Sequence, residues 1–177
     1  WELGTQDDCF GVRFQPGQGI LPKDITMEMI VNDDIEIDGD IFGKNLTEKI
    51  ALAKTMSERI DIFKKAYEDM VLGRNSLSDK EKINEYLVNR ISRTKGMITM
   101  RQLEDETNYS ACYLRRIFKS FHGISPKQFA QYIRFQNLLM QADKEGVRYE
   151  QVALDCGYYD EPHMMKEFKK YSGVTLE

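Results

Sequence analysis

Cysteine, histidine and proline are scarce: the 177 residues hold three, two and four of them. Cys9, Cys112 and Cys156 are too few and too scattered for a disulfide framework or a metal knuckle, and they fit a reducing cytoplasm. His122 and His163 stand forty-one residues apart with no cysteine pair beside either, which argues against a zinc site. No apolar run approaches the roughly 18 residues of a membrane span, and no secretory signal is visible. Catalysis requires a nucleophile with its base, or paired carboxylates held in a pocket, and no such constellation is present. Asp33, Asp34, Asp38 and Asp40 make an acidic run without the alternating ligand spacing that calcium requires, and a solvated loop is the plain account of it. No enzyme activity, metal or cofactor is therefore expected. An excess of positive charge is also missing, since the net charge is -4.

That total hides two unlike regions. Residues 1–78 carry 9 Lys and Arg against 15 Asp and Glu, and residues 79–177 carry 16 against 14, so an acidic piece precedes a mildly basic one. A hydrophobic content of 41% is enough to bury a core, in one domain or two small ones. The chain starts at Trp1 and stops at Glu177 directly after a motif, so both ends are expected to be trimmed.

The alternation Phe10, Val12, Phe14 before Pro16-Gly17-Gln18-Gly19 predicts a short strand closed by a turn, the end of a larger β-rich region. Residues 20–44 read as loop with one further extended piece around Ile30-Val31, Ile35 and Ile37. Helix starts are then well punctuated. Asn45 with Glu48, Thr55 with Glu58, Ser78 with Glu81, Thr99 with Gln102 and Ser125 with Gln128 each have the spacing of a reciprocal N-terminal capping box. Helices are predicted over 46–54, 57–72, 78–94, 100–107, 110–122, 126–144, 149–156 and 160–172. Leu46, Ile50 and Ala53, then Ile60, Phe63, Tyr67 and Met70, give the first two an apolar face each. That spacing suits packing against a preceding part of the chain, or a short heptad seam that would make a dimer. Gly73-Arg74-Asn75-Ser76 is the linker candidate, dividing the chain into 1–74 and 75–177.

The segment from Tyr113 to Pro126, YLRRIFKSFHGISP, has a weaker copy fifty residues later, HMMKEFKKYSGVTL from His163 to Leu176. Each copy follows a shorter helix and a tight turn, Asn108-Tyr109 in the first and Gly157-Tyr158-Tyr159 in the second. Short helix, tight turn, second helix is the order of a helix-turn-helix, in which the second helix enters the major groove of DNA. At about 100° per residue, Leu114, Ile117, Phe118 and Phe121 fall on the packing side of the first such helix. Cys112, Arg116 and Lys119 lie opposite, with Arg115 on the flank. In the second copy Met164, Phe168 and Tyr171 pack, leaving Pro162, Lys166 and Lys169 opposite and Met165 on the flank. Arginine can read guanine through two hydrogen bonds, whereas lysine is more often a phosphate clamp. The helix from Pro126, about 19 residues or roughly 28 Å, would hold the two reading helices in successive grooves about 34 Å apart. A solvated basic face is the alternative for Arg115, Arg116 and Lys119. His163 can serve either as a DNA contact or as structural support, and a redox role for Cys112 lacks a resolving cysteine nearby.

The runs YLRRIFKSFHGISPKQFAQYIR and VALDCGYYDEPHMMKEFKKYSGVT, in this order and joined by a long helix, closely resemble the DNA-binding domain of the AraC/XylS family of bacterial transcription regulators, over about residues 79–177. The resemblance implies a mainly α fold of two helix-turn-helix units joined by a long central helix. It implies base contacts from Cys112, Arg115 and Arg116 in the first reading helix and from Glu161, Pro162, His163 and Lys166 in the second. Ser110, Lys119, Lys169 and Arg134 complete the candidate DNA-binding set. Residues 1–74 resemble, more faintly, the α/β end of a sensor region, for which the family implies a small-molecule effector or a homodimer contact. Double-stranded DNA is the expected partner, RNA polymerase a further one, and activation or repression of transcription the role. Glu104 stands where the family has a small alanine, Asn137 where the strut is basic, and Leu176 where a proline follows. Another class remains: a helical protein-interaction or scaffold module that has lost DNA binding. A third is a DNA-acting enzyme whose chemistry lies outside this chain.

Overall fold

The computed structural model describes residues 9–17, 19, 21, 25–30, 42–73, 77–142 and 148–175. The acidic run at 33–40, the extended piece proposed around it, Arg74 to Ser76 of the linker, and Leu176 lie outside the described residues. The chain divides into two compact units, Trp1–Leu77 and Ser78–Glu177.

The described part of the first unit contains α1 (Met27–Ile30), α2 (Leu46–Leu52) and α3 (Met56–Leu72). The strand predicted at Phe10 to Phe14 does not form, and among the described residues there is no strand. The predicted α/β remnant is corrected accordingly. Lateral partners stabilise a strand, and here the two rings are engaged by a helix instead: Phe10 lies 6.2 Å from Phe63, and Phe14 5.0 Å from Tyr67. Phe42 joins the cluster at 5.9 Å from Phe63. The segment expected to be loop contains the short α1. The capping box at Asn45 is absent too. Asn45 has φ 56°, in the left-handed region, and its side chain makes no capping hydrogen bond; a box requires extended backbone at that position. Thr55 is extended and makes the box with Glu58. On α3, Phe63, Tyr67 and Met70 are half-buried, whereas Ile60 is exposed. Between α2 and α3 runs an open groove of about 620 Å³, with Phe42, Leu46, Ala66 and Met70 among its walls and Lys49 and Lys65 on its rim.

The second unit is helical throughout its described residues: α4 (Asp79–Arg93), α5 (Met100–Thr107), α6 (Ala111–His122), α7 (Pro126–Ala142), α8 (Tyr149–Asp155) and α9 (Glu161–Ser172). Ser78 with Glu81, Thr99 with Gln102 and Ser125 with Gln128 all form capping boxes. Pro126 opens α7, where its missing N–H leaves no bond unmade. The strut has 17 described residues, roughly 25 Å at about 1.5 Å per residue, and positions 143–144 of the predicted helix lie outside the described residues. It is shared between two cores. Its first half gives Phe129 and Ala130 to a core with Leu87, Val88, Ile91, Leu103, Leu114 and Phe118. Its second half gives Phe135 and Leu138 to a core with Val152, Ala153, Cys156, Tyr158, Met164 and Phe168. The duplicated sequence is thus a duplicated core, with one helix running through both copies.

Candidate nucleic-acid interface

In the first copy α5 ends at Asn108, whose left-handed backbone (φ 58°) turns the chain and whose N–H bonds Glu104 O at 2.8 Å. Ser110 caps α6 by accepting from the Tyr113 N–H. Glu104 adds a second cap: its carboxylate reaches across the turn and accepts the Ala111 N–H at 2.5 Å. A carboxylate suits a helix N-terminus because unsatisfied N–H groups and the positive end of the dipole meet there. Glu104 therefore locks the turn. Leu114, Ile117 and Phe118 are buried as expected, and Cys112, Arg115, Arg116 and Lys119 are exposed. Ser110 is exposed as well.

Sequence reasoning missed what supports Arg116. Its guanidinium lies 5.3 Å over the Tyr113 ring, which in turn sits 5.0 Å from Tyr109. The spacings of three and four residues were the available signal. At the other end of α6, His122 is tilted against Phe118 at 4.4 Å and stacked with Phe129 at 6.0 Å, with Nε2 paired to Asn84 Oδ1 at 2.9 Å. Burial lowers its pKa from 6.5 to about 4, so the ring is neutral near pH 7. Behind α5, Glu106 accepts a bidentate pair from Arg90 (2.6 and 2.8 Å) and a further bond from the Tyr86 hydroxyl, which tie α4 to α5. Arg90 first, then Tyr86, holds the Glu106 carboxyl at about 2.

In the second copy Gly157 (φ 75°) makes the turn and Tyr158 N–H bonds Ala153 O at 2.8 Å. Asp160 caps α9 through the His163 N–H at 2.8 Å. Pro162, His163, Lys166 and Lys169 are exposed, and Glu161 is half-buried. His163 also serves the turn, since its Nδ1 accepts the Tyr159 N–H at 3.4 Å and its ring stands edge-on to Tyr158. Glu150, Asp160 and Glu161 flank an open groove beside the start of α9, giving this copy a more acidic edge. Glu167 is buried where the first copy has Ile117. It lies close to Tyr158, whose hydroxyl is pushed up first by burial and then by this carboxylate. Asn137, the other departure, donates to Cys156 Sγ at 3.3 Å, with Gln141 beside it at 3.4 Å. Burial raises the Cys156 thiol pKa, as expected of a packing cysteine rather than a reactive one.

Arg115, Arg116, Lys119, Lys166 and Lys169 share a further property. Among the described residues none of the five is in an ion pair or donates a hydrogen bond, unlike Lys82, Arg90 and Arg148, which each face a carboxylate. Arg134 is placed differently from the rest of the candidate set. Its guanidinium donates to the carbonyls of Gly157 (3.1 Å) and Gly96 (3.2 Å) and lies over the Tyr158 ring at 5.4 Å. Among the described residues no helix is long and apolar enough to cross a membrane, and no cluster of three metal-ligating side chains occurs.

Residues 103–177 match a family model described as a helix-turn-helix domain. No curated protein matches the chain. Among solved structures, it is similar to a DNA-binding transcriptional dual regulator from Escherichia coli K-12, at 21% identity and a TM-score of 0.44, over 50% of this chain and 89% of that one.

Proposed function

We propose that this chain is an AraC-type, sequence-specific DNA-binding transcription regulator whose α6 and α9 lie in adjacent major grooves, a reading supported by the match of residues 103–177 to a helix-turn-helix domain model. The observation that carries the proposal is the set of five exposed cations without acidic partners, three on α6 and two on α9, on the sides facing away from two matching cores. A basic face paired to its own acids would be a solvated surface; an unpaired one is available to phosphates and base edges. Arg115 and Arg116 are the base readers, the latter steadied over Tyr113, and Cys112 borders them. Lys119, Lys166 and Lys169 hold phosphates. His163 and Pro162 stand at the start of α9, where side chains reach base edges. Ser110 and Asp160 act as caps that leave N-terminal N–H groups near the backbone of the duplex. Arg134 has no place in the contact set, since both its terminal nitrogens serve protein carbonyls.

The two copies have unequal tasks. The first presents two arginines on an aromatic support, and the second presents lysines beside an acidic edge, so α6 reads and α9 chiefly grips. Residues 1–74 belong to a sensor or dimerisation region, ahead of the DNA-binding domain at 75–177. The test is the salt dependence of binding to duplex DNA. With Lys119, Lys166 and Lys169 on phosphates, log K is expected to fall against log salt with a slope of about -3. A flat response, with no binding that survives excess bulk DNA, would favour a protein-interaction module on the same fold.

A further inference from the structure

Three pieces of the second unit meet at the middle of the strut. The loop that joins α4 to α5 brings Gly96 so close to α7 that a Cβ there would lie 2.1 Å from the Ala130 carbonyl oxygen and 3.0 Å from the Arg134 nitrogen. The next residue, Met97, packs on the turn of the second copy, where a Cβ on Gly157 would fall 2.7 Å from Met97 Cγ. Loop and turn thus touch each other while both rest on α7. Arg134 joins them: Nη2 donates to Gly96 O and Nη1 to Gly157 O, and the same plane covers Tyr158, the residue after the turn.

One rigid fork therefore bonds a carbonyl of the loop that leads into the first helix-turn-helix and a carbonyl of the turn of the second. The two N–H groups diverge at a fixed angle, so they fit only one relative placement of the carbonyls. The apolar contact of Met97 with the Gly157 turn constrains orientation less sharply than directed hydrogen bonds do. We propose that Arg134 is a positioning residue that sets the angle and distance between α6 and α9, and thereby the half-site spacing the chain accepts on DNA. The spacing part rests on the DNA-reading function above; the geometry part does not.

Two variants separate this role from a phosphate contact. Arg134→Lys keeps the charge and the stem over Tyr158 but has no planar fork, and Arg134→Gln loses the charge as well. Binding is measured on duplexes with the two half-sites moved apart or together in single base-pair steps. The wild type is expected to prefer one spacing, and both variants are expected to lose about tenfold of that preference while each half-site keeps its base preferences. If Arg134 were a phosphate contact, Lys would behave as wild type and Gln would weaken all spacings alike, with a salt slope smaller by about one; that pattern would overturn the proposal. A readout without DNA uses amide residual dipolar couplings of the full chain. The α4–α6 and α8–α9 segments are expected to share one alignment tensor in the wild type and to need two in both variants. A single shared tensor in folded variants would also overturn it. Should wild-type protein bind no duplex at all, the function above fails, and the couplings alone decide the pin.

Discussion

Replacing Glu104 with alanine is expected to destabilise the second unit. The carboxylate accepts the Ala111 N–H at 2.5 Å, at the first residue of α6. Ser110 bonds Tyr113 N–H at 3.4 Å, a long contact that does not replace it. Losing a charge-assisted cap costs about 1–2 kcal/mol, and losing its attraction to the helix dipole adds roughly 0.5 kcal/mol. Alanine's better helix propensity returns a few tenths of a kcal/mol, about 0.3. A net loss of about 1–2 kcal/mol on a unit running from Ser78 to Glu177 lowers Tm by roughly 5–10 °C. Thermal melts followed by circular dichroism measure it, and Glu104→Gln, which keeps an acceptor without the charge, is expected to fall between. An alanine variant that melts at or above the wild type would refute the cap and favour closer helix packing as the dominant effect.

Lowering the pH tests His122. Its folded pKa of about 4 lies below its ordinary 6.5, so the unfolded chain binds the proton first; the contribution is complete above pH 6.5 and fades toward pH 4. About 2 kcal/mol is expected to be lost across that window, allowing for the ring's remaining contact with water, and His122→Gln is expected to flatten it in urea titrations. Parallel curves for the two proteins would contradict this. Gly96→Ala is expected to cost about 2–4 kcal/mol, since its Cβ meets the backbone of Ala130. Gly173→Ala is expected to cost only about 1 kcal/mol, because its φ is equally positive but its Cβ meets nothing within 4 Å; equal losses would show that the contact with the strut is unimportant. Arg116→Ala is expected to relax base preference in one half-site at a cost of about 1–3 kcal/mol, and Lys169→Ala to weaken all duplexes alike. Competition binding against single-base variants distinguishes the two, and indistinguishable profiles would reverse the reader and grip assignment.

Local signals account for what was legible in advance. A capping box is written within four residues, and a packing face within two turns, so Thr55, Ser78, Thr99 and Ser125 marked helix starts and Leu114, Phe118, Met164 and Phe168 marked cores. What stayed hidden depends on partners far along the chain. Arg134 meets carbonyls 38 and 23 residues away, and Asn137 meets Cys156 19 residues away; in the sequence Arg134 falls among the candidate DNA contacts and Asn137 stands as a departure from a basic strut residue. Glu104 looked like a packing defect until its turn was folded back onto Ala111. Alternation of Phe10, Val12 and Phe14 suggested a strand because period two is shared by any extended segment that lays rings on a neighbour.

The most direct measurement is selection from a random duplex library by the chain as it stands. The account predicts one bipartite motif, with half-sites whose centres are separated by about one helical turn, roughly 10 base pairs, and with the half facing α6 more sharply defined than the half facing α9. No enriched motif, or one short motif of a single half-site, would contradict it.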